Sequence, residues 1–239
     1  MRAYVQYKAG QPVNLNAFVA EDGFRQLGLE VEPFEAPSLE TLPLTADTLV
    51  QGYVGVVQRA LERLGVEPPF VPDFPDPLLA FTGRRIRRST LGEVRGDDRP
   101  VFVKPYRDQK AFTGYVRGRD VQDLARSAHL SDEFPVWTSE VVTFVSEWRC
   151  FVLRGVCIGV RPYVQDHRTP VPDLSLVEAC IDAYGAAAPA GYSIDLGRTA
   201  DGRTLLVEVN DGYSLAAYGL PAVPYAQLLE ARWTEMATG

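Results

Sequence analysis

The stretch LLVEVNDGYSLAAYGL at residues 205–220 carries the most information about this chain. It places Glu208, Asn210 and Asp211 at the end of an apolar, β-branched run that is typical of a strand. Side chains two residues apart in a strand point to the same face, so we expect Glu208 and Asn210 to lie side by side. A carboxylate and an amide oxygen presented together form a hard oxygen site suited to Mg²⁺.

A second short strand is predicted upstream, at YSIDL, residues 192–196. It offers another carboxylate, Asp195, and the polar segment GRTADG at 197–202 joins it to the first strand. We therefore expect a hairpin with Asp195 near Glu208, and the candidate metal ligands are Asp195, Glu208 and Asn210. An ordinary hairpin with solvated acids fits the same spacing, so both interpretations stay open at this point.

Composition narrows the class of protein. The chain has 239 residues and a net charge of −7, which argues against non-specific nucleic-acid binding through bulk charge. No run approaches the ~20 apolar residues of a membrane span, and the first residues have no apolar region of the kind found in signal peptides. The three cysteines (150, 157 and 180) lack CxxC spacing, which favours reduced thiols. We expect a cytoplasmic protein.

The first third of the chain alternates strands with helices. Strands are predicted at 2–7, 29–34 and 48–52, with a helix capped by Asn14 or Asn16 that ends near Leu27 and a second helix near 53–65. This alternation predicts a small parallel α/β domain over residues 1–75. The proline-rich segment EPPFVPDFPDP at 67–77 is the predicted domain boundary.

The rest of the chain has a different pattern. Strands are predicted at 100–105, in 135–145 and at 148–160, the last with a turn at Arg154 and Gly155. Helices are predicted at 119–129, 175–188 and 221–237.

Lys104 ends the apolar strand PVFVKP at residues 100–105. A compact ammonium at this position suits a phosphate oxygen, although a lysine at a strand end also commonly reaches out to water. Lys110 follows in KAFTGY, where Gly114 permits a tight loop able to close over phosphates. No GxxxxGK[ST] or GxGxxG motif occurs, so the chain has neither a P-loop nor a dinucleotide fingerprint.

The apolar segment SEVVTFVSEWRCFV at 139–152 contains Glu140, Glu147 and Arg149. Charges in such a segment are costly unless they are paired or bind a ligand. Glu147 and Arg149 share a strand face, so one interpretation is that they pair with each other. If the next strand forms a hairpin with this one, Arg161 reaches the same face as Arg149, and two arginines together resemble an anion clamp.

A basic cluster lies at residues 84–88, where RRIRR puts four arginines within five residues. It is suited to a phosphate, a nucleic-acid strand or an acidic peptide. It is equally typical of a solvated turn with a basic outer face.

The order of these features resembles the ATP-grasp superfamily, and the wording of FVKPYRDQKAFTGYV (102–116), VSEWRCFVLRGVCIGVRPY (145–163) and VEVNDGYS (207–214) resembles its R2K clade. The resemblance covers residues ~78–239. It implies an α/β (α+β) fold, in which a small N-terminal parallel α/β pre-ATP-grasp domain (1–75) precedes a two-lobed ATP-grasp domain with antiparallel sheets (76–239). The small lobe would span about 85–141 and the large lobe about 142–239.

The resemblance also implies roles for nucleotide-binding residues. Lys104 would contact the ATP phosphates, and Lys110 would provide a second phosphate or substrate contact. The hinge that receives adenine through its backbone would be formed by Glu140, Val141 and Val142. Glu147 would contact the ribose or order the site.

Further roles follow for the metal and the reacting groups. Asp195, Glu208 and Asn210 match the Mg²⁺ ligands, and Arg149 and Arg161 would face the γ-phosphate or an acylphosphate. From the basic cluster, Arg85 or Arg87 would join the site.

The function implied is that of an ATP- and Mg²⁺-dependent ligase, which activates a carboxylate as an acylphosphate and joins it to an amine or similar nucleophile. Its partners would be ATP and an unidentified carboxylate and amine, each a small molecule or a peptide. One alternative is a phosphoryl-transfer or nucleic-acid-end modifying enzyme that docks its substrate on the basic cluster. Another is a non-catalytic nucleotide-binding module.

Overall fold

The computed structural model of the chain describes residues 1–108, 110–118, 125–164 and 171–238. The N-terminal unit is a small sheet with two helices. Its elements are β1 (Arg2–Lys8), β2 (Gln11–Pro12), α1 (Leu15–Gln26), β3 (Glu30–Glu35), β4 (Thr48–Gln51) and α2 (Val54–Arg63). Strand β1 pairs in parallel with both β3 and β4, and β2 adds a short antiparallel hairpin. The predicted parallel α/β arrangement is thus present, with one antiparallel addition.

Helix α1 begins where the chain supplies a cap. The side chain of Asn14 accepts a hydrogen bond from the backbone N–H of Ala17 at 2.9 Å, which satisfies one free donor of the first turn. Of the two candidate caps, Asn14 is therefore the one used. Asn16 instead accepts a hydrogen bond from the N–H of Ala217 at 3.0 Å and ties the helix to the loop that follows the 205–211 strand.

The small lobe is an antiparallel sheet with one short helix. Its elements are β5 (Ile86–Thr90), α3 (Leu91–Gly96), β6 (Val101–Pro105), β7 (Tyr115–Arg117) and β8 (Pro135–Ser139), with the strand order β5-β8-β6-β7. Leu91, Val103 and Val136 lie in its fully buried core. The helix predicted over Arg119–His129 lies largely outside the described residues.

The large lobe is a second antiparallel sheet. Its elements are β9 (Phe144–Leu153), β10 (Val156–Val164), α4 (Ser175–Tyr184), β11 (Gly191–Thr199), β12 (Thr204–Asp211) and α5 (Ala222–Thr238), with the strand order β10-β9-β11-β12. Arg154 and Gly155 both have positive φ, at 48° and 76°, and form the tight turn between β9 and β10. The predicted hairpin turn is therefore confirmed.

Strand β11 is longer than the sequence pattern predicts. The predicted turn at 197–202 was wrong for its first three residues, because Gly197–Thr199 continue the strand. All three pair with β9, and Gly197 and Arg198 also pair with β12. Gly197 is required there, since a Cβ at this position would overlap the ring of Phe144. A glycine in this strand marks a close approach of neighbouring groups rather than a chain reversal.

The N-terminal unit shares a hydrophobic core with the C-terminal helix. Trp233 of α5 is buried, and its Nε1 donates a hydrogen bond to the carbonyl oxygen of Thr48 at 2.5 Å. A Cβ on Gly23 of α1 would overlap the backbone of Ala222, so the two helices pack in direct contact. The sheet of the large lobe is thereby held against the N-terminal unit.

Among the described residues, no helix combines the length and apolarity needed to cross a membrane. Cys150 and Cys180 are buried, Cys157 is partly exposed, and all three are free thiols. This agrees with the expectation of reduced cysteines.

Candidate functional site

A cavity of about 320 Å³ lies between the two antiparallel sheets. Its size is that of a small-molecule site. One wall is formed by residues 139–144, which run from the end of β8 to the start of β9, and β12 contributes Val207 and Glu208. The predicted hinge residues Glu140, Val141 and Val142 all line this cavity, as does Glu147. The structure thus brings the proposed hinge, Glu147 and Glu208 around one space.

The cavity also has aromatic walls and a buried arginine. Phe74, Phe102 and Phe144 line it together with Arg84. The Arg84 guanidinium lies 5.7 Å from the centre of the Phe74 ring and 5.8 Å from that of Phe144, and it donates hydrogen bonds to two β12 carbonyls at 2.8 and 2.9 Å. Burial lowers the pKa of Arg84 to about 10. One arginine of the basic cluster is therefore part of this site.

Lys104 pairs with Glu208, which lines the cavity, and with a second carboxylate, Asp73. Its Nζ is 2.6 Å from Oε2 of Glu208 and 2.9 Å from Oδ2 of Asp73. The side chain is only 14% exposed, so Lys104 does not simply reach out to water. Burial alone would lower the pKa of Lys104, but the two carboxylates raise it above its ordinary value.

The two carboxylates respond differently to this environment. Burial raises the pKa of Asp73 to about 6, although Lys104 acts in the opposite direction. Burial also disfavours ionisation of Glu208, but the charge and hydrogen bond of Lys104 outweigh it and lower the pKa of Glu208. The site therefore holds a charged lysine beside at least one ionised carboxylate at neutral pH.

A second buried ion pair joins Arg149 and Asp195. The guanidinium donates to both carboxylate oxygens, at 2.8 and 2.6 Å, in the bidentate geometry that arginine favours. The interpretation that Arg149 pairs with Glu147 is wrong, because Arg149 faces Asp195 across the β9–β11 ladder. Glu147 instead accepts a hydrogen bond from the hydroxyl of Tyr163 at 3.0 Å.

The three predicted metal ligands come together as the hairpin predicts. Asp195 pairs with Glu208 across the β11–β12 ladder, and Nδ2 of Asn210 donates to Oδ2 of Asp195 at 3.1 Å. Within the described part of the chain, no group of three or more His, Cys, Asp or Glu side chains is arranged for a metal. The three predicted ligands are two carboxylates and one amide, an oxygen donor set that fits Mg²⁺.

Arg161 and Lys110 lie further from the hinge. Arg161 is opposite Arg149 in the β9–β10 ladder, as the hairpin predicts, and its Nε donates to the carbonyl of Gly219 at 3.0 Å. The Arg149 guanidinium is 5.0 Å from the centre of the neighbouring Tyr218 ring. Lys110 is exposed and lines a different, larger cavity of about 540 Å³.

The exposed arginines of the basic cluster lie outside the hinge cavity. Arg85 and Arg87 line a separate depression of about 220 Å³ together with Arg99. The backbone N–H of Arg85 donates to a carboxylate oxygen of Glu140 at 3.0 Å, which connects the cluster to the hinge.

Several residues of the site lie outside the predicted set. Asp73 and Phe74 belong to the proline-rich segment whose pattern indicates a domain boundary, and Tyr163 lies beside Glu147 and Asp195. The available signal was the single acid in VPDFP, at 71–75, where a charge stands within an otherwise apolar segment.

A comparison with protein families identifies the chain. The model of the ATP-grasp domain, R2K clade family 2, matches residues 81–228, more than half of the sequence. The chain belongs to this ATP-grasp family. The matched range includes both antiparallel sheets and the Lys104, Glu147 and Glu208 side chains, so the resemblance drawn from the sequence motifs is confirmed.

Solved ATP-grasp structures share the fold over nearly the whole chain. The D-alanine–D-alanine ligase of Bacillus anthracis is 16% identical, with a TM-score of 0.57, and the match covers 99% of this chain and 97% of the ligase. The RimK domain ATP-grasp protein of Sphaerobacter thermophilus is 12% identical, with a TM-score of 0.58 and coverage of 99% and 100%.

The ATP-grasp ligase PsnB, solved with a minimal precursor, is 15% identical, with a TM-score of 0.52 and coverage of 96% of this chain and 98% of PsnB. No curated protein matches this chain by sequence. At these identities the structural matches establish the ATP-grasp fold alone.

Proposed function

We propose that this ATP-grasp protein binds Mg²⁺ and ATP in the cavity between its lobes and uses them to join a carboxylate to an amine. One observation carries the proposal: the 139–144 segment and the Lys104–Glu208 ion pair meet at the same cavity. A wall formed by the 139–144 segment, with a charged cluster at Glu208, suits a molecule with a planar base and a polyphosphate. The ligase from B. anthracis has been solved in complex with ATP, and PsnB with Mg and ADP.

The base would occupy the apolar part of the cavity. The backbone of Glu140, Val141 and Val142 would hydrogen-bond to the edge of adenine, and Phe144 and Phe74 would contact its faces. Glu147, whose pKa is raised by burial, would contact the ribose. Because backbone groups would bind the adenine, residues 140–142 need no particular side chains for this role.

The phosphates would lie at the charged end. Lys104 would contact phosphate oxygens, and Asp195, Glu208 and Asn210 would hold Mg²⁺, which when bound neutralises phosphate charge and orients the γ-phosphoryl group. Both carboxylates are engaged by cations in the structure, Asp195 by Arg149 and Glu208 by Lys104. The site thus keeps its negative charges compensated before any ligand binds.

The chemistry takes two steps. An oxygen of the substrate carboxylate attacks the γ-phosphorus, the bond to the β-phosphate oxygen breaks, and ADP leaves with formation of an acylphosphate. The amine then attacks the acyl carbon, inorganic phosphate leaves, and the amide forms with loss of the amine proton. Arg149 and Arg161, with Lys110 as a further contact, would stabilise the negative charge of the acylphosphate and its tetrahedral successor.

Two measurements test this function. ATP binding is measured by calorimetry with and without Mg²⁺, and ADP release is measured across a panel of carboxylic acids and amines. We expect Mg²⁺-dependent ATP binding, and ADP release over many turnovers only when both substrates are present. Asp195→Asn and Glu208→Gln are expected to remove the Mg²⁺ dependence and the turnover.

The alternatives give different results. A non-catalytic module would bind ATP without releasing ADP for any acid and amine, and a phosphoryl-transfer enzyme would yield a stable phosphorylated product without an amide. If both variants retain Mg²⁺-dependent ATP binding and turnover, the proposed site is wrong.

A further inference from the structure

Strand β5 forms one edge of the small-lobe sheet. In the strand order β5-β8-β6-β7, β5 has only β8 as a neighbour among the described strands. An edge strand presents backbone N–H and C=O groups with which another extended chain can pair. Arg87 and Arg88, at the centre of this five-residue strand, are exposed.

The backbone of Arg88 points away from the sheet. The carbonyl of Arg87 faces β8, because the hydroxyl of Thr138 donates a hydrogen bond to it at 3.4 Å. The N–H of Leu91 also faces that side, where it donates to the carbonyl of Phe134 at 3.1 Å. Successive residues of a strand direct their N–H and C=O groups to opposite sides, so those of Arg88 face outward. Within the described part of the chain, they have no hydrogen-bond partner.

Arginine side chains flank this edge on both faces of the sheet. Arg87 lines two adjoining depressions of about 220 and 180 Å³, and it has no ion-pair partner among the described residues. Arg88 lies on the other face, where its guanidinium is 4.8 Å from the centre of the Tyr106 ring and 5.6 Å from that of Trp137. A strand added to β5 would therefore meet a cation on each face, at two consecutive positions.

The acids near this edge do not neutralise it. The two depressions are lined by four arginines, at 85, 87, 88 and 99, and by three acids, at 93, 97 and 140. Asp97 accepts a hydrogen bond from Arg99 at 2.6 Å, which holds the pKa of Asp97 below its ordinary value. Glu140 accepts the backbone N–H of Arg85 at 3.0 Å. The guanidinium groups of Arg87 and Arg88 are thus left for a partner.

The same charges select among possible partners. A second copy of this chain does not fit, because two antiparallel β5 strands would bring arginines of one copy beside those of the other, and like charges opposite each other are destabilising. A nucleic acid would use the arginines but has no peptide groups to pair with the outward backbone. The net charge of −7 also disfavours a nucleic acid at long range.

We propose that the β5 edge is a docking surface for an extended acidic segment of a partner protein, which joins the small-lobe sheet as a further strand. Backbone hydrogen bonds to Arg88 supply the pairing. Adjacent acidic side chains of the partner contact Arg87 on one face and Arg88 on the other. The proposal is independent of the ligase function, because neither arginine lines the hinge cavity.

Fluorescence anisotropy tests this with a labelled Val-Thr-Glu-Glu-Glu-Thr-Val peptide, the triglutamate peptide, whose outer residues favour an extended chain. The same peptide with glutamine in place of glutamate lacks the charge. A version methylated on the amide nitrogens of two adjacent glutamates keeps the charge but has both of its edges blocked. An oligouridylate has charge without peptide groups. We expect the triglutamate peptide to bind at least ~10-fold more tightly than each of these controls.

Substitutions in the protein separate the charge from the backbone. Arg87→Glu should weaken binding of the triglutamate peptide ~5-fold or more, since it reverses a cross-strand charge. Arg203→Glu is the matched control and should bind like the wild type, because Arg203 is exposed and lies between β11 and β12 of the large lobe. Arg88→Ala and Arg88→Pro both remove the side chain, but only proline removes the outward N–H, so Arg88→Pro should bind ~3-fold more weakly than Arg88→Ala.

Thermal unfolding checks that each variant is folded. The proposal is overturned if the triglutamate peptide does not bind, if Arg87→Glu binds it like the wild type, or if a folded Arg88→Pro binds it like Arg88→Ala. Equal binding of the methylated peptide would show a contact by charge alone and would also overturn it. Equal binding of the oligouridylate would identify a nucleic-acid surface instead. If Arg88→Pro does not fold, the methylated peptide still tests the backbone contact.

Discussion

The Nζ atom of Lys104 lies 2.6 Å from Oε2 of Glu208, and this contact joins the two lobes. Lys104 belongs to β6 of the small lobe, and Glu208 belongs to β12 of the large lobe. The same Nζ lies 2.9 Å from Asp73, in the connection to the N-terminal unit. One ammonium therefore links three parts of the chain at the proposed phosphate site.

Replacement of this ammonium is expected to cost both stability and binding. Lys104→Met removes the ammonium that lies between Asp73 and Glu208, and removal of one partner from a buried ion pair costs about 3 kcal/mol or more in the free energy of unfolding. ATP affinity should fall at least ~10-fold, measured by calorimetry under native conditions. Urea denaturation gives the stability.

Lys110→Met is the control for the loss of a lysine side chain that takes no part in the ion pair between the lobes. Because Lys110 is exposed, its replacement should change the free energy of unfolding by less than about 0.5 kcal/mol. Equal stability of Lys104→Met and Lys110→Met would show that the contact between the lobes has no energetic role.

The two candidate metal carboxylates are expected to differ in their structural importance. Asp195→Asn leaves the buried guanidinium of Arg149 without a carboxylate, and the side chain of Asp195 is only 1% exposed, so a loss of roughly 3 to 5 kcal/mol is expected. Glu208 is 25% exposed, and in Glu208→Gln the Lys104 ammonium retains Asp73. The free energy of unfolding of Glu208→Gln should therefore fall by less than that of Asp195→Asn.

Urea denaturation of the two variants checks this order. Both should also lose the dependence of ATP binding on Mg²⁺, measured at a temperature at which both are folded. A Glu208→Gln variant less stable than Asp195→Asn would contradict the ranking.

The predictable part of the site depended on local periodicity. The two-residue period of a strand placed Glu208 and Asn210 on one face, and a short connection between two predicted strands placed Asp195 beside them. Lys104 was identified because a charge at the end of an apolar strand stands out. These inferences need only the pattern within one segment.

Other contacts depend on how distant segments pack, which a local pattern does not contain. Asp73 reaches Lys104 because the proline-rich segment runs along β12, where the carbonyl of Asp73 accepts a hydrogen bond from the N–H of Val209 at 2.8 Å. The pairing of Arg149 with Asp195 depends on β9 lying next to β11. The sequence pattern favours Glu147 as the partner of Arg149, because it is close along the chain. The order of the strands in the sheet instead places Asp195 opposite Arg149.

Gly197 is expected to control the shape of the hinge cavity. In Gly197→Ala the new Cβ overlaps the ring of Phe144, which must move, and Phe144 lines the cavity. Overpacking of this kind costs about 1 to 3 kcal/mol. We expect ATP affinity to fall about 5-fold or more, measured by calorimetry.

Gly159→Ala provides the matched control. Its Cβ would meet a methyl group of Leu220, away from the hinge cavity. It should lower stability without a change in ATP affinity. If both variants bind ATP like the wild type, then Phe144 does not contact the nucleotide.

Asp73 gives the stability of this protein a specific pH dependence. Its pKa is raised by burial to about 6 in the folded protein, above the ordinary value of 3.8, despite the nearby Lys104. The folded state therefore binds this proton more tightly than the unfolded chain does. The resulting stabilisation is fully present below about pH 3.8 and is lost as the pH rises through about 6.

Comparison with Asp73→Asn isolates this effect, since the amide does not titrate. The free energy of unfolding of the wild type, minus that of Asp73→Asn, should fall by up to ~3 kcal/mol between about pH 4 and pH 7, at ~1.4 kcal/mol for each pKa unit. Urea denaturation at several pH values measures the difference. Glu208, whose pKa is shifted in the opposite direction, is present in both proteins, so a difference that rises with pH would mean that Lys104 holds Asp73 ionised throughout this range.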